Sequence, residues 1–194
     1  MPSARNLRTV ISCVSFETVK IVEPIRHYRA DRAYILHKGG RAPYDDFLRE
    51  VRRQLDEMDV PHESRRLDIY RFTPVMREVH GIIRAEKAEG NHVYVNVGAG
   101  PQMFCAAALV ACMMEGGSPF NVGTRRFTVE DPDIYFRDGR PVGLAAEVHD
   151  PFPLPEFDIK APDPALVEGL AVWKRNRDRG GIMSASALVT KLGR

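Results

Sequence analysis

Gly98 and Gly100 stand two residues apart behind an apolar run that ends in Asn96, within the stretch Asn91–Gly117 (NHVYVNVGAGPQMFCAAALVACMMEGG). Residues of these types at this spacing suit one chemistry above others, the holding of an anion. No side chain blocks a glycine turn, so phosphate or ribose can approach closely. Backbone N–H groups at the start of a following helix carry partial positive charge. The plainer alternative is that both glycines only make the turn. Asn96 occupies the carboxyl end of the run, where ligands collect in open α/β sheets. The motif is not the dinucleotide fingerprint: Met103 stands where the third glycine belongs, and Pro101 removes one N–H from the cradle. A standard NAD site is not expected, nor a triphosphatase loop of the GxxxxGK type.

Other chemistries find less support. His27, His37, His62, His80, His92 and His149 are scattered, without HExxH or other metal spacing, so neither a metal site nor a catalytic residue is expected. Cys13, Cys105 and Cys112 are odd in number, lack CxxC spacing and lie in apolar runs, which predicts buried reduced thiols and a cytoplasmic location. Lys and Arg number 28 against 26 Asp and Glu, a net +2, so the chain is no polycation built for nucleic acid as a whole. With 194 residues, 44% hydrophobic and 28% charged, it can bury one domain of about 150 residues plus a fragment. The amino terminus, MPSARNLRTV, lacks a signal-peptide core, and Met103–Met114 is too short to span a bilayer. No membrane partner is expected.

Several elements must position the glycine turn. Val93–Val97 reads as a buried strand before it, and Met103–Met114, apolar all round, as a helix buried on every side. Thr9–Val14 predicts the first, central strand. Ser15 and Phe16 follow at its carboxyl end, leading into a helix over Glu17–Tyr28 that Pro24 bends or restarts. Ser15 is either that helix's N-cap or a ligand contact. Ala33–Leu36 predicts a second strand, Tyr44–Met58 an amphipathic helix with Phe47, Val51, Leu55 and Met58 inward, and Arg65–Phe72 a third strand. A helix over Val75–Glu89 and a fifth strand at Phe120–Val122 complete the alternation. Such alternation predicts an α/β, Rossmann-like open parallel sheet with helices on both faces. Asp138-Gly139 signals a C-terminal β-hairpin between Ile134–Phe136 and Pro141–Leu144, extending the sheet or dressing its edge. Asp150–Pro164, with five prolines, predicts an extended connection without regular structure. A short helical tail follows, Ala165–Lys174 and then Ser184–Leu192. Its cluster Lys174, Arg175, Arg177 and Arg179 reads as a solvated helix end or a phosphate contact.

Together these residues carry a resemblance. Val14-Ser15-Phe16-Glu17, Val22-Glu23-Pro24-Ile25, Ala30-Asp31-Arg32, Val93 to Gly98-x-Gly100, and the Ala106–Met114 helix resemble archaeal regulators with a CRISPR-associated Rossmann-fold (CARF) sensor domain and a C-terminal winged helix-turn-helix. The likeness covers Thr9–Val122, and Leu166–Arg194 is similar to the opening helices of the DNA-binding module and stops short of it. The resemblance implies a sensor domain over residues 1–149, a proline-rich linker over 150–164, and the start of the winged helix-turn-helix over 165–194.

It also implies a homodimer that binds one cyclic oligoadenylate, cyclic tetra-adenylate first among them, and relays binding to DNA through the C-terminal module. A two-fold dimer presents each turn twice, which suits a ring with its own rotational symmetry. The ligand-facing residues implied are Ser15, Phe16, Asn96, Val97, Gly98, Ala99, Gly100, Pro101 and Gln102. No cofactor is implied. The family commonly has Ser or Thr before the second glycine and Lys or Thr after it, whereas Ala99, Pro101 and Gln102 stand here. Loss of that cation points away from cleavage of the ring. A ring nuclease or another nucleotide-acting enzyme on the same fold is the alternative reading.

Overall fold

The computed structural model describes residues 6–40, 42–128, 136–157 and 164–181, with 184, 186, 187 and 190. They fall into two compact units, residues 1–158 and 159–194. In the first, β1 (Arg8–Val14), α1 (Val19–His27), β2 (Arg32–His37), α2 (Tyr44–Glu57), β3 (His62–Arg66), α3 (Phe72–Ala88), β4 (His92–Asn96), α4 (Gln102–Glu115) and β5 (Ser118–Asn121) alternate along the chain. β5, β4, β1, β2 and β3 lie side by side in that order, all parallel. The chain builds outward from β1 to β3 and then crosses back to start again at β4, on the other side of β1.

The strand side chains alternate between two cores, as the pleat requires. Ile11 and Cys13 of β1 join Val79, Ile83, Phe104 and Ala108 of α3 and α4. Val10 and Val14 join Ile21, Ile25, Phe47 and Leu55 of α1 and α2 on the opposite face. Burying each large apolar side chain of this kind contributes about 1.5–3 kcal/mol, so the sheet is held from both sides. The Rossmann-like α/β sheet read from the sequence is the fold observed.

Local readings differ in four places. The third strand is His62–Arg66, not Arg65–Phe72. As the edge of the sheet it needs no apolar face, and it satisfies its polar side chains through Arg52 on Ser64 and through Arg65 on Glu63 and Glu78. Ile69 is buried outside any strand, and Asp68 accepts the Tyr70 N–H in a turn that leads into α3. Helix α4 is not buried on every side: Phe104, Ala107, Ala108, Ala111 and Cys112 are buried, while Met103 and Met114 are 44% and 43% exposed. Only the face turned to α3 and the sheet is covered.

The hairpin forms, as β7 (Phe136–Arg137) and β8 (Arg140–Pro141), with Asp138 and Gly139 both at positive φ (52° and 74°), the two-residue turn that matches strand twist. Ile134 lies outside the described residues. The ribbon is separate and does not extend the sheet; a second pair, β6 (Thr124–Phe127) with β9 (Ala145–Val148), stands beside it in sequence. The sheet edge is taken instead by β10 (Phe152–Pro153), antiparallel to β5, from the proline-rich segment expected to be irregular. An outermost strand is where a residue without an N–H is tolerated.

In the second unit α5 spans Pro164–Asp178, and its Arg177 guanidinium lies 4.9 Å from the centre of the Trp173 ring. The helix expected over Ser184–Leu192 falls largely outside the described residues.

Candidate functional site

β1 and β4 are neighbours, yet the helices that follow them cover opposite faces. The connections that leave their carboxyl ends therefore diverge, the arrangement at which ligands settle in sheets of this kind. The turns after these two strands carry the residues singled out in the sequence.

The glycines are required by close approach. A Cβ on Gly98 would collide with the Asn121 side chain and the Val122 N–H at the end of β5. Gly100 has φ +100°, and a Cβ there would lie 2.9 Å from Cys13 Cβ and 3.2 Å from Phe104 Cδ1. Gly100 thus seats the turn on the last residues of β1, and the two predicted segments meet. Ala99 between them is buried in the α1 and α2 core. Val97 donates its N–H to the Phe120 carbonyl (2.9 Å). Pro101 is the N-cap residue of α4, in extended conformation and without a side-chain cap, and Gln102 opens the helix with its side chain exposed. Among the described residues the start of α4 has no side-chain cap, so its first N–H groups have no partner within the helix.

Asn96 is tied more tightly than its position suggested. It is fully buried; its Nδ2 donates to the Lys20 carbonyl (2.8 Å), and its Oδ1 accepts the Gly98 N–H (2.9 Å). The reason lies in α1. Pro24 sits inside that helix and has no N–H to return to the carbonyl four residues earlier, which is that of Lys20. Asn96 supplies the missing donor from 76 residues away. The side chain joins the two turns, a positioning part rather than a free contact.

Ser15 is buried, and Phe16 is half-buried with its ring 4.6 Å from that of Tyr44 and 6.0 Å from that of Phe47. Ser15 is not the N-cap of α1: that residue is Thr18, whose hydroxyl donates to the Pro141 carbonyl (2.9 Å). Glu17 accepts the Ala145 N–H (3.2 Å) and bridges to Gly143, so the β8–β9 segment clasps the chain just beyond Phe16. Burial pushes the Glu17 carboxyl up, against the lowering effects of the Ala145 N–H and the Lys20 charge.

Lys20 was missed in the sequence. Its charge is felt by Glu17 from one side and by Cys105, at the start of α4, from the other. No cation is in the glycine turn itself, and Lys20 lies in the first turn of α1, where its carbonyl is held by Asn96. The only sequence signal was a lysine in the first turn of the helix behind Phe16. Burial raises the Cys13 and Cys105 thiols, so both are protonated at neutral pH and neither is a ready nucleophile. Among the described residues no group of three or more His, Cys, Asp and Glu is gathered as a metal would need. Open clefts of about 520 and 500 Å³ lie elsewhere, one between α1 and β9 and one between α1, α2 and the hairpin.

Fold and site together define a class, a Rossmann-like α/β domain with a glycine turn at its switch point. The chain belongs to the "HFX_2341_N:-like, N-terminal" family, whose model matches residues 8–128, more than half of its length. Among curated proteins none matches the sequence. Solved structures share the fold. Can2 from Sulfobacillus thermosulfidooxidans, in complex with cyclic tetra-adenylate, matches with a TM-score of 0.51 and 13% identity over 60% of this chain and 30% of that one. A type III CRISPR defence DNA nuclease activated by cyclic oligoadenylate matches with a TM-score of 0.53 and 16% identity over 95% of this chain and 29% of that one. The chain spans under a third of the length of either, and at such identities the likeness is one of fold.

Among the described residues no helix is long and apolar enough to cross a membrane.

Proposed function

We propose that this chain is the CARF-type sensing part of a CRISPR-associated regulator and binds a cyclic oligoadenylate, cyclic tetra-adenylate first, at the carboxyl edge of its sheet. The observation that carries this reading is the glycine turn seated on the end of β1 by Gly100 and Cys13, ahead of the uncapped start of α4. Such a site offers backbone N–H groups to phosphate at close range, and Lys20 supplies the positive charge that Ala99, Pro101 and Gln102 do not. Can2 is bound to cyclic tetra-adenylate and the similar nuclease is activated by cyclic oligoadenylate, which supports the choice of ligand class.

In this reading two copies meet about a two-fold axis and share one ring. Residues 1–149 form the sensor, 150–164 connect it, and 165–194 begin a DNA-binding module that reads the change in the dimer. The clasp of Glu17 and Thr18 by residues 141–145 lies directly behind Phe16, so movement of the first turn on binding reaches the strands that precede the connection.

Incubation with labelled cyclic tetra-adenylate, followed by chromatography of the bound label, tests the reading. Retained, intact ring is expected. Release of linear product in a single turnover would favour the nuclease alternative, and no retained label would contradict both.

A further inference from the structure

A second cluster at the same sheet edge is unused by the site above. β2 ends in His37 and continues as Lys38-Gly39-Gly40, with both glycines at positive φ (62° and 98°). The Lys38 ammonium lies 4.8 Å from the centre of the Tyr70 ring, and Tyr70 is 41% exposed. The Tyr70 and Tyr44 hydroxyls are 3.0 Å apart, and the Tyr44 ring rests on that of Phe16. Arg66 donates to the Lys38 carbonyl (3.1 Å) and fixes the loop. Under the loop, His37 Nδ1 is buried with no hydrogen-bond partner among the described residues.

The cluster adjoins the first turn, through the Tyr44 ring 4.6 Å from that of Phe16. Burial and the Tyr44 hydroxyl push the Tyr70 phenol up to about 12. A wall of Phe16, Tyr44, Tyr70 and Lys38 therefore runs from the first turn along the ends of β1 and β2. Dinucleotide sheets place an acid after the second strand to hold ribose hydroxyls; here a lysine follows His37, and among the described residues no carboxylate pairs with it. That exchange favours a phosphate over a free ribose diol.

We propose that Lys38, Tyr44 and Tyr70 form a nucleotide subsite beside the first turn, in which the Tyr70 ring takes the face of a nucleobase and Lys38 takes a phosphate. This rests on the proposed function and extends it. Lys38 covers the ring in the free protein. A base stacks on tyrosine more strongly than an exposed cation does, so its arrival frees the ammonium for the adjoining phosphate. Tyr44 holds the Tyr70 ring in place through the paired hydroxyls and is a positioning residue.

Calorimetry with cyclic tetra-adenylate and with linear 5′-phosphorylated diadenylate, on the full chain and on Lys38→Ala, Tyr70→Ala and Tyr70→Phe, tests the subsite. Circular dichroism melts establish that each variant is folded. Lys38→Ala should weaken binding about tenfold and lower the slope of log affinity against log salt by about one. Tyr70→Ala should weaken it tenfold or more, and Tyr70→Phe, which keeps the ring, by about twofold. Ring binding by the full chain with no change in Lys38→Ala and Tyr70→Ala overturns the subsite and leaves the sensor reading standing. Binding of the diadenylate alone, lost in those two variants, overturns the ring and keeps the subsite. Binding of neither ligand overturns both.

Discussion

The two ends of the same sheet spend their polar groups differently. At the amino end of β1, β2 and β4 a single carboxylate, Glu86 at the end of α3, is buried and accepts hydrogen bonds from Tyr34 (2.6 Å), Asn91 (2.7 Å), Thr9 (2.8 Å) and Arg32 (2.8 Å). Thr9 lies in β1, Arg32 and Tyr34 in β2 and Asn91 just before β4, so the carboxylate pins three strands to a helix. At the carboxyl end the buried Asn96 is spent on shaping a turn, and Lys38 lies over the exposed Tyr70 ring rather than in an ion pair among the described residues. A closed network at one edge gives the fold its stability, and the incomplete one at the other leaves capacity for a ligand.

The contrast can be broken most severely at Glu86. Glu86→Ala leaves four donors without their acceptor, one of them a guanidinium, and should cost about 3–5 kcal/mol in urea unfolding, with the affinity of the surviving folded protein for cyclic oligoadenylate unchanged. A loss below about 1 kcal/mol would mean that water replaces the carboxylate and that the amino edge is no pin.

At the other edge Asn96→Ala should cost about 1–3 kcal/mol by leaving the Lys20 carbonyl and Gly98 N–H unpaired. The loss should shrink when Pro24→Ala is present, because the new N–H reaches the Lys20 carbonyl along the helix. Equal losses in both backgrounds would refute the link between Pro24 and Asn96. Unlike the first variant, this one should also weaken ligand binding.

The two acids should sharpen the comparison through pH. Burial pushes Glu86 up, but the hydrogen bonds of Tyr34, Thr9, Asn91 and Arg32 outweigh it and hold the carboxyl below its ordinary value. Its stabilising contribution is therefore present above the ordinary glutamate range near 4.3 and is lost as pH falls through the folded value. Melting curves between pH 6 and pH 3 should fall less steeply in Glu86→Gln than in the parent. Glu17 has the opposite sign: its carboxyl is raised by burial, so its contribution is present below the ordinary range and is lost as pH rises through the folded value. Glu17→Gln keeps an oxygen for the Ala145 N–H and should raise the melting midpoint at pH 7 by up to about 2 °C. A lower midpoint would show that the ionised form is the one the clasp prefers.

Much of this was legible in the sequence because it is local. The β-branched runs of β1 and β4, the stripe of Phe47, Val51 and Leu55, and the glycine turn announce themselves within a dozen residues. β3 did not, since HESRR lies at an edge and its polar residues find partners on α2 and α3. The link from Asn96 to Lys20, the seat of Gly100 on Cys13, and the meeting of Lys38, Tyr44 and Tyr70 all join segments far apart in the chain. Pro24 was visible as a helix defect, but the residue that repairs it was not.

Calorimetry of the full chain against cyclic tetra-adenylate and cyclic hexa-adenylate, with linear oligoadenylate as control, tests the central claim most directly. Saturation at one cyclic tetra-adenylate per two chains is the expected result. Absence of binding by either ring to folded protein would contradict it.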